Sequence, residues 1–420
     1  MSETAISPLK LKQTPAAAFM MLLMPFGMSG GYVSVTLGYM LAKAHMPTAA
    51  IAVIISFNIW PQTLKVVWAP MVDTTLSAKT WYVIGAALTG LSILGLSVVP
   101  ATITNAGLLT VLVIVCSLAS TLVSQSSEVI MAHGVPDERK GAVSGWSQGG
   151  GLGGSGVGGG IGLYVAQHVS APWVSGGVLA LLCIACCGGL FLVKEPVRAA
   201  RHPHYVESLK ELGIDVWSVA SSRLGLLVLL LMLLPIGSGG ASNLFSAIAT
   251  EWHAGVNVVE IATGVVSGFV TMGGAIVGGY ACDRMDRRSA YCVFGVALAA
   301  VAVIMALAPR TPTQFIVWTL GYAAVLGACY AAYSASVLEA IGKGAAATKF
   351  NLLASVSNIP IAVMTTVDGS MHDRHGTTGM LFGEAALAVL AVLFFMAFAR
   401  LTRGLPPIWR WFGGGSAPAA

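Results

Sequence analysis

Long runs of apolar residues, separated by short polar stretches, dominate the chain. Each run is long enough for a helix of about 20 residues, which spans the roughly 30 Å hydrocarbon core of a bilayer. The runs lie near 16–42, 47–70, 80–100, 106–131, 141–166, 172–193, 223–250, 257–282, 289–309, 314–338, 346–368 and 377–401. The pattern predicts an all-α integral membrane protein with twelve transmembrane helices.

The longest polar stretch divides these runs six and six. Residues 194–222 separate an N-terminal half, 1–193, from a C-terminal half, 223–420, and we call this stretch the linker. Its apolar residues follow helical spacing at Val206, Leu209, Leu212, Val216 and Val219. This spacing predicts a short amphipathic helix that lies on the membrane surface.

The two halves share landmarks at a constant offset. The cluster PFGMSGG begins at Pro25 and PIGSGG begins at Pro235, and Asp73 and Asp283 are separated by the same 210 residues. Two landmarks at one offset predict two pseudo-symmetric halves of the same orientation. Helices 1 and 7 are then equivalent, and their Pro/Gly/Ser clusters are expected to line a central cavity. Close packing between helices, which small residues also permit, is the alternative.

Composition and charge add an orientation to this picture. Hydrophobic residues make up 56% of the chain and charged residues only 9%, against roughly 25% charged in soluble domains. If the N-terminus is cytoplasmic, 18 of the 22 Lys and Arg residues lie on that side, as the positive-inside rule requires. We therefore expect both termini in the cytoplasm, and the net charge of +5 needs no nucleic-acid partner. The seven cysteines lie in or beside apolar runs, where packing is expected rather than disulfides.

Several short motifs resemble those of known transporters. The loop GGYACDRMDRR (278–288) is similar to the loop motif of the major facilitator superfamily. LKVVWAPMVD (64–73) and ATKFNLLAS (347–355) resemble segments of AmpG-like permeases, the peptide–acetyl-CoA–drug branch of that superfamily. The resemblance implies the major facilitator fold, and known members of the branch carry anhydromuropeptides, siderophores or coenzyme A esters. Lys349 stands where the branch has Gln, and Ser29 lies near a position where it has Pro.

Polar side chains inside the apolar runs mark a candidate transport pathway, because a charged residue at the centre of a transmembrane helix costs about 2.5–3.5 kcal/mol. Four runs carry polar residues on one helical face: Asn58, Gln62 and Lys65; Thr121, Gln125 and Glu128; Asn351, Ser355 and Asn358; Ser238, Ser242 and Ser246, with Asn243 beside them. These stripes predict a shared wet cavity. Hydrogen bonding between packed helices is the alternative.

Two sets of functional residues follow from the stripes and the resemblance. The expected substrate-binding residues are Ser29, Tyr32, Asn58, Gln62, Gln125, Trp146, Ser242, Asn243, Tyr330, Tyr333, Asn351 and Asn358. The expected coupling and gating residues are Lys65, Asp73, Glu128, Asp283, Arg284 and Lys349. Lys65 and Glu128 should pair, because an isolated charge at either site is costly; the pair either couples transport to protons or only stabilises the bundle. Asp73 and Asp283 should hold the cytoplasmic ends of their halves together.

Other kinds of chemistry are not expected. The ten glycines between Gly149 and Gly162 lack the Lys-Ser/Thr that ends a phosphate loop, and close packing against a helix of the other half is expected. No Ser/His/Asp set, paired carboxylates or His/Glu cluster is recognised at a common membrane depth, which disfavours an enzyme. The HDRH loop (372–375) is expected to be solvated rather than to bind a metal. We therefore expect neither a cofactor nor a metal ion.

Together these features predict a secondary transporter of the bacterial cytoplasmic membrane that works as a monomer in the lipid bilayer. Its expected activity is proton-coupled import of a small polar solute that contains sugar or peptide, such as a muropeptide. A carrier of siderophores, coenzyme A esters or drugs on the same fold is an alternative. A non-transporting membrane receptor or assembly factor is another.

Overall fold

The chain is helical and contains no strand over the part that the structure describes. The structure is a computed structural model of the 420-residue protein, and it describes residues 15–135, 137–193, 221–282, 284–341 and 346–402, with residues 210, 213, 214 and 217 of the linker. Most of the predicted amphipathic helix of the linker therefore lies outside the described residues.

Six helices form the part of the chain that precedes the linker. They are α1 (Ala16–Lys43), α2 (Thr48–Thr74), α3 (Ala78–Val98), α4 (Ala106–Gly134), α5 (137–168) and α6 (Trp173–Cys186). Short turns join them, so consecutive helices run in opposite directions. We call the side of the bundle where α1 ends the Lys43 end, and the opposite side, where α1 begins and α6 finishes, the linker end.

Six further helices follow the linker. They are α7 (Arg223–Leu233, continued by short helical turns over 240–248), α8 (Val256–Cys282), α9 (Arg287–Leu307), α10 (Pro312–Ile341), α11 (346–375) and α12 (377–401). The last two form one helical segment that reverses at Gly376, whose φ of 68° and ψ of −176° suit glycine. Gly383 contacts Met371 across this reversal, so α11 and α12 lie side by side.

The helices have the length and surface of membrane spans. Eight helical stretches in the described ranges are long and apolar enough to cross a bilayer, and one of them, Leu352–Leu401, contains both α11 and α12. The remaining helices are α2, the glycine-rich α5 and the interrupted α7. Leu181 and Leu307 expose 69% and 70% of their surfaces, as expected for side chains that face lipid. This arrangement is consistent with the twelve predicted transmembrane helices.

Glycines bring α5 into backbone contact with α1. A methyl group on Gly150, Gly154 or Gly158 would overlap the carbonyl oxygen of Met20, Met24 or Met28, respectively. Small residues at every fourth position allow such close approach between membrane helices. The prediction of close packing is therefore confirmed. The predicted partner was a helix of the other half, whereas the main partner is α1 of the same half. The second partner is α8 of the other half, where Gly160 approaches Val265.

The repeated Pro/Gly/Ser cluster has a different structure in each half. In α1 the helix continues through Pro25, and Gly27 and Gly31 make room for α5. In α7 the helix stops after Leu233, and Gly237 and Gly239 adopt left-handed conformations with φ of 63° and 68°. The prediction of a continuous apolar helix over 223–250 is therefore wrong. We call residues 234–239 the α7 break.

Candidate functional site

The predicted polar stripes of α2 and α4 meet along one interface. Ser117 Oγ on α4 donates a hydrogen bond to the backbone carbonyl of Asn58 at 2.6 Å. Two turns further along, Gln125 Nε2 donates to the backbone carbonyl of Lys65. The contacts recur because residues separated by three or four positions share one helical face. We call this interface the α2–α4 seam.

An ion pair lies in the seam on its side toward the linker end. Lys65 Nζ is 3.2 Å from Glu128 Oε1, and Ser124 Oγ donates to the same oxygen at 2.9 Å. The two charged side chains are only 13% and 26% exposed. Lys65 precedes Thr74, the last residue of α2, by nine residues, which is about 14 Å along the helix axis. The ion pair therefore lies well inside the bundle.

Two amide oxygens of the seam have no hydrogen-bond partner among the residues that the structure describes. They are Asn58 Oδ1 and Gln125 Oε1, and both side chains are buried. Gln62 Nε2 donates to the Asn58 backbone carbonyl at 3.1 Å, so this neighbouring amide does not satisfy the Asn58 side chain. Buried acceptors in native proteins nearly always have a partner, which makes these two oxygens candidates for contact with a solute or water.

Several candidates of the C-terminal half converge on α11. Asn243 Nδ2, just after the α7 break, donates to Thr365 Oγ1 at 3.0 Å. The Tyr333 hydroxyl of α10 accepts a hydrogen bond from Ser357 Oγ at 3.3 Å. Asn358 Nδ2 donates to a backbone carbonyl of its own helix at 3.2 Å. Asn243 and Tyr333 thus contact α11 from α7 and α10, whereas the Asn358 amide is engaged within α11.

The predicted serine stripe of α7 does not form. Ser238 lies in the α7 break, and Ser242 Oγ donates to the nearby Gly239 carbonyl at 2.6 Å. Ser246 Oγ instead crosses to the other half and donates to the Ser34 carbonyl at 2.6 Å. The stripe depended on a continuous helix, and the break removes that geometry.

The remaining candidates from helices 1, 5 and 10 are dispersed. Ser29 Oγ donates to the Phe26 carbonyl of its own helix at 2.8 Å, and Tyr32 is buried in the core. Trp146 and Tyr330 expose 49% and 41% of their surfaces. No hydrogen bond in the described ranges links these four residues to the seam.

Four predicted gating or binding residues lie wholly or in their side chains outside the described part of the chain. The side chains of Asp73, Lys349 and Asn351, and all of Asp283, lie outside the described residues. Arg284, next to Asp283, is described, and its guanidinium donates to the Tyr280 carbonyl at 3.4 Å.

A buried pair of carboxylates lies in the C-terminal half, and sequence reasoning missed it. Asp368 on α11 is 0% exposed and Glu384 on α12 is 5% exposed. Glu384 Oε1 accepts hydrogen bonds from the Tyr322 hydroxyl at 2.7 Å and from the Ala241 backbone N–H at 3.2 Å. The statement that no paired carboxylates share a depth is therefore wrong. The sequence predicted that helix 11 ends at residue 368, but α11 continues to the reversal at Gly376. Asp368 precedes Gly376 by eight residues and Glu384 follows it by eight, so the reversal brings the two acids to the same depth.

Hydrogen bonds join the two halves toward the Lys43 end. Asp373, before the α11–α12 reversal, accepts hydrogen bonds from the backbone N–H groups of Thr48 at 2.9 Å and Ala49 at 3.0 Å. These groups form the N-terminus of α2, whose dipole favours an anion. The bond from Ser246 to the Ser34 carbonyl also joins the halves.

A polar cluster beside Asp373 reinforces this end. Glu251 accepts hydrogen bonds from His372 and from the Thr377 hydroxyl. Burial alone would raise the pKa of Glu251, but these hydrogen bonds and the nearby Arg310 charge hold that pKa below its usual value. The HDRH segment, predicted to be a solvated loop, is instead the last turn of α11, and two of its residues, His372 and Asp373, make contacts. No group of three or more His, Cys, Asp and Glu side chains suited to a metal occurs within the described part of the chain.

The sequence profile of the Major Facilitator Superfamily matches residues 17–348. The chain belongs to the Major Facilitator Superfamily. This member of the superfamily is accordingly a multi-pass membrane protein, and its family and fold support secondary transport as its activity. No curated protein matches the chain at a significant level.

Solved structures are similar to this superfamily member over nearly its whole length. The nucleoside transporter NupG has a TM-score of 0.68 and 14% identity, covering 91% of this chain and 98% of NupG. A D-xylose-proton symporter has a TM-score of 0.66 and 15% identity, covering 91% of this chain and 97% of the symporter. A POT family transporter solved with a thioalcohol-conjugated peptide has a TM-score of 0.67 and 11% identity, covering 92% of this chain and 96% of that transporter. At these identities the likeness shows the fold alone.

Proposed function

We propose that the protein is a proton-coupled importer of a small polar solute and works by alternating access between its two halves, 1–193 and 223–420. In the proposed orientation, the linker and both termini lie in the bacterial cytoplasm and the Lys43 end faces outward. The observation that carries the proposal is the set of hydrogen bonds that join the halves toward the Lys43 end, made by Asp373 and Ser246. The Lys65–Glu128 pair lies within the N-terminal half, toward the linker end. A carrier closed on its outer side would have hydrogen bonds between its halves at that end.

The proposed coupling site is Glu128. Its ion pair with Lys65 has little contact with solvent, so removal of either charge would disturb a partly buried pair. A proton that enters Glu128 would break the pair, favour opening toward the cytoplasm, and leave there with the solute. One charge that crosses the membrane gains about 2.3 kcal/mol per 100 mV, which supports a concentration ratio of about 50.

The proposed solute contains sugar or peptide, as in muropeptides. The support comes from LKVVWAPMVD (64–73) and ATKFNLLAS (347–355), which resemble AmpG-like permeases. The nucleoside transporter and the D-xylose-proton symporter of similar fold also favour a small polar solute, and the latter favours proton coupling. Uptake of anhydromuropeptide, a siderophore and a coenzyme A ester should be compared in one deletion strain. Uptake confined to either of the other two compounds would refute the muropeptide assignment.

The coupling proposal predicts a specific defect for Glu128→Gln. The variant should exchange solute across vesicles at a rate within about twofold of wild type, but a pH gradient should no longer drive accumulation. Glu339→Gln is the matched control, because it removes a carboxylate from a partly exposed contact with Arg288, 3.9 Å away on α9. Wild-type accumulation by Glu128→Gln would show that Glu128 is not the proton site. Equal loss of exchange and accumulation, with a lower melting temperature, would indicate a structural bridge.

A further inference from the structure

The carboxylates of Asp368 and Glu384 contain three oxygen atoms that have no hydrogen-bond partner among the described residues. Both oxygens of Asp368 and Oε2 of Glu384 are buried there without a donor. An ionised carboxylate without donors is among the most costly groups to bury, and it normally becomes neutral instead. Glu384 Oε1 differs, because Tyr322 and Ala241 both donate to it. The two acids therefore occupy unequal environments.

The two acids approach the same point of α7. A Cβ atom on Gly240 would lie 2.8 Å from Asp368 Oδ2, and the next residue, Ala241, donates its N–H to Glu384. The acids are also close enough for their negative charges to repel each other. The pair therefore lies where the helix resumes after the α7 break.

No cationic side chain balances this pair in the described ranges. The titratable group near both acids is Tyr322 on α10, and Cys329 lies near Tyr322. Helix α2 packs on α11 at Gly369 through Thr48, Ala49 and Ala52, which carry no charge. Neither Lys, Arg nor His forms an ion pair with Asp368 or Glu384 in this part of the chain.

We propose that Asp368 and Glu384 form a proton-binding site that shares one proton while the Lys43 end is closed. The proton comes from water and binds Asp368, which becomes a neutral acid and a hydrogen-bond donor. Glu384 retains the single negative charge, because its Oε1 already accepts two hydrogen bonds that stabilise the ionised form. Two neighbouring carboxyls in unequal environments separate into an acid and a base in this way.

A small cavity adjoins Glu384. It has a volume of about 10 Å³ and is lined by Glu384, by Pro235, Gly237 and Ser238 of the α7 break, and by residues of α9 and α12. This volume is about what one water molecule needs, and it is far too small for a sugar or peptide. A proton delivered by water is compatible with this size.

Loss of the proton would open the Lys43 end. It would place two negative charges at the α7 break and push α11 away from α12 and α7. The acids lie eight residues from Gly376, about 12 Å along each helix, so this movement would reach Asp373 and its bonds to α2. The Asp368–Glu384 site lies in the C-terminal half, whereas Glu128 lies in the N-terminal half. Proton binding by the two acids is independent of the proposed function, and only the role of this site in the transport cycle rests on it.

Infrared difference spectroscopy between acidic and alkaline pH tests proton binding in the purified full-length protein without a solute. Wild type should show the carbonyl band of a protonated acid, shifted in D₂O, and the double variant Asp368→Asn/Glu384→Gln should lose that band. Glu128→Gln should retain it, even if Glu128 fails as the coupling residue. An unchanged band in the double variant would overturn the proposal. Loss of the wild-type band on addition of Na⁺ at constant pH would also overturn it and indicate a cation site.

Labelling of Thr48→Cys tests the effect on the Lys43 end. The Thr48 side chain is 8% exposed, so an impermeant maleimide should label it only when this end opens. Because the thiolate is the reacting form, each labelling rate is divided by the rate of an exposed cysteine at the same pH. In a His372→Gln background, which removes the nearby titrating contact with Glu251, this normalised rate should rise several-fold toward alkaline pH. The Asp368→Asn/Glu384→Gln variant should abolish this rise. Its native cysteines should stay as unreactive as in the parent protein, which shows that the variant is folded. Persistence of the full pH dependence in the double variant would refute the role of the pair in closing this end.

Discussion

Asp373 is expected to control how often the Lys43 end opens. Its two carboxylate oxygens accept the N–H groups of Thr48 and Ala49, which would otherwise have no partner at the start of α2. Asp373→Asn keeps one acceptor oxygen, removes the charge, and places an amide NH₂ against the second N–H. The substitution therefore weakens a contact that exists only while the two halves touch.

The size of this effect follows from the geometry of the contact. Loss of a helix N-cap costs about 0.5–2 kcal/mol, and loss of a charge at a helix N-terminus costs about 0.3–1 kcal/mol. The Asp373 side chain is 30% exposed, so solvent screening places the sum in the lower part of this range. We expect a loss of about 1–1.5 kcal/mol, which is about a 5- to 13-fold shift toward the open state.

The assay is the maleimide labelling rate of Thr48→Cys from outside intact cells, with the parent protein as blank. Arg374→Gln is the matched control, because Arg374 is an exposed neighbour that makes no contact between the halves in the described structure. Asp373→Asn should raise the labelling rate by the stated factor, whereas Arg374→Gln should change it less than twofold. Equal rates for Asp373→Asn and its parent would refute the reasoning. Labelling only from the cytoplasmic side would reverse the proposed orientation.

Two further predictions concern stability. Gly154→Ala should destabilise the protein by about 1–3 kcal/mol, because its methyl group overlaps the Met24 carbonyl oxygen. The control Gly149→Ala, which has no atom near its Cβ, should leave the stability unchanged. Thermal unfolding in detergent measures both variants. Asp286→Ala should cost about 1 kcal/mol at neutral pH, because Asp286 caps α9 by accepting the Ser289 N–H. Burial tends to raise the pKa of Asp286, but the hydrogen bonds from Ser289 and the Arg288 charge outweigh it and lower the pKa. The stability difference should therefore disappear as the pH falls through this lowered pKa, and an unchanged difference at acidic pH would contradict the capping role.

The sequence by itself determined the class of fold and the position of the seam. A helix in a bilayer satisfies its backbone hydrogen bonds internally, so apolar length alone specifies each span. The spacing of Asn58, Gln62 and Lys65 likewise determines one helical face, because periodicity is a property of the single helix. The prediction that Lys65 and Glu128 pair needed only the further assumption that α2 and α4 are neighbours, and their contact at 3.2 Å is confirmed. Its role in coupling stays a prediction.

Tertiary structure decided what the repeated clusters and the acids do. PFGMSGG and PIGSGG are nearly the same in sequence, yet the first stays helical against α5 and the second breaks beside Glu384. The difference depends on which neighbour approaches each cluster, and no local pattern contains that information. Asp368 and Glu384 meet only because Gly376 reverses the chain between them. The bilayer specifies each helix separately, whereas rotation and distance between helices depend on the simultaneous packing of side chains from several segments.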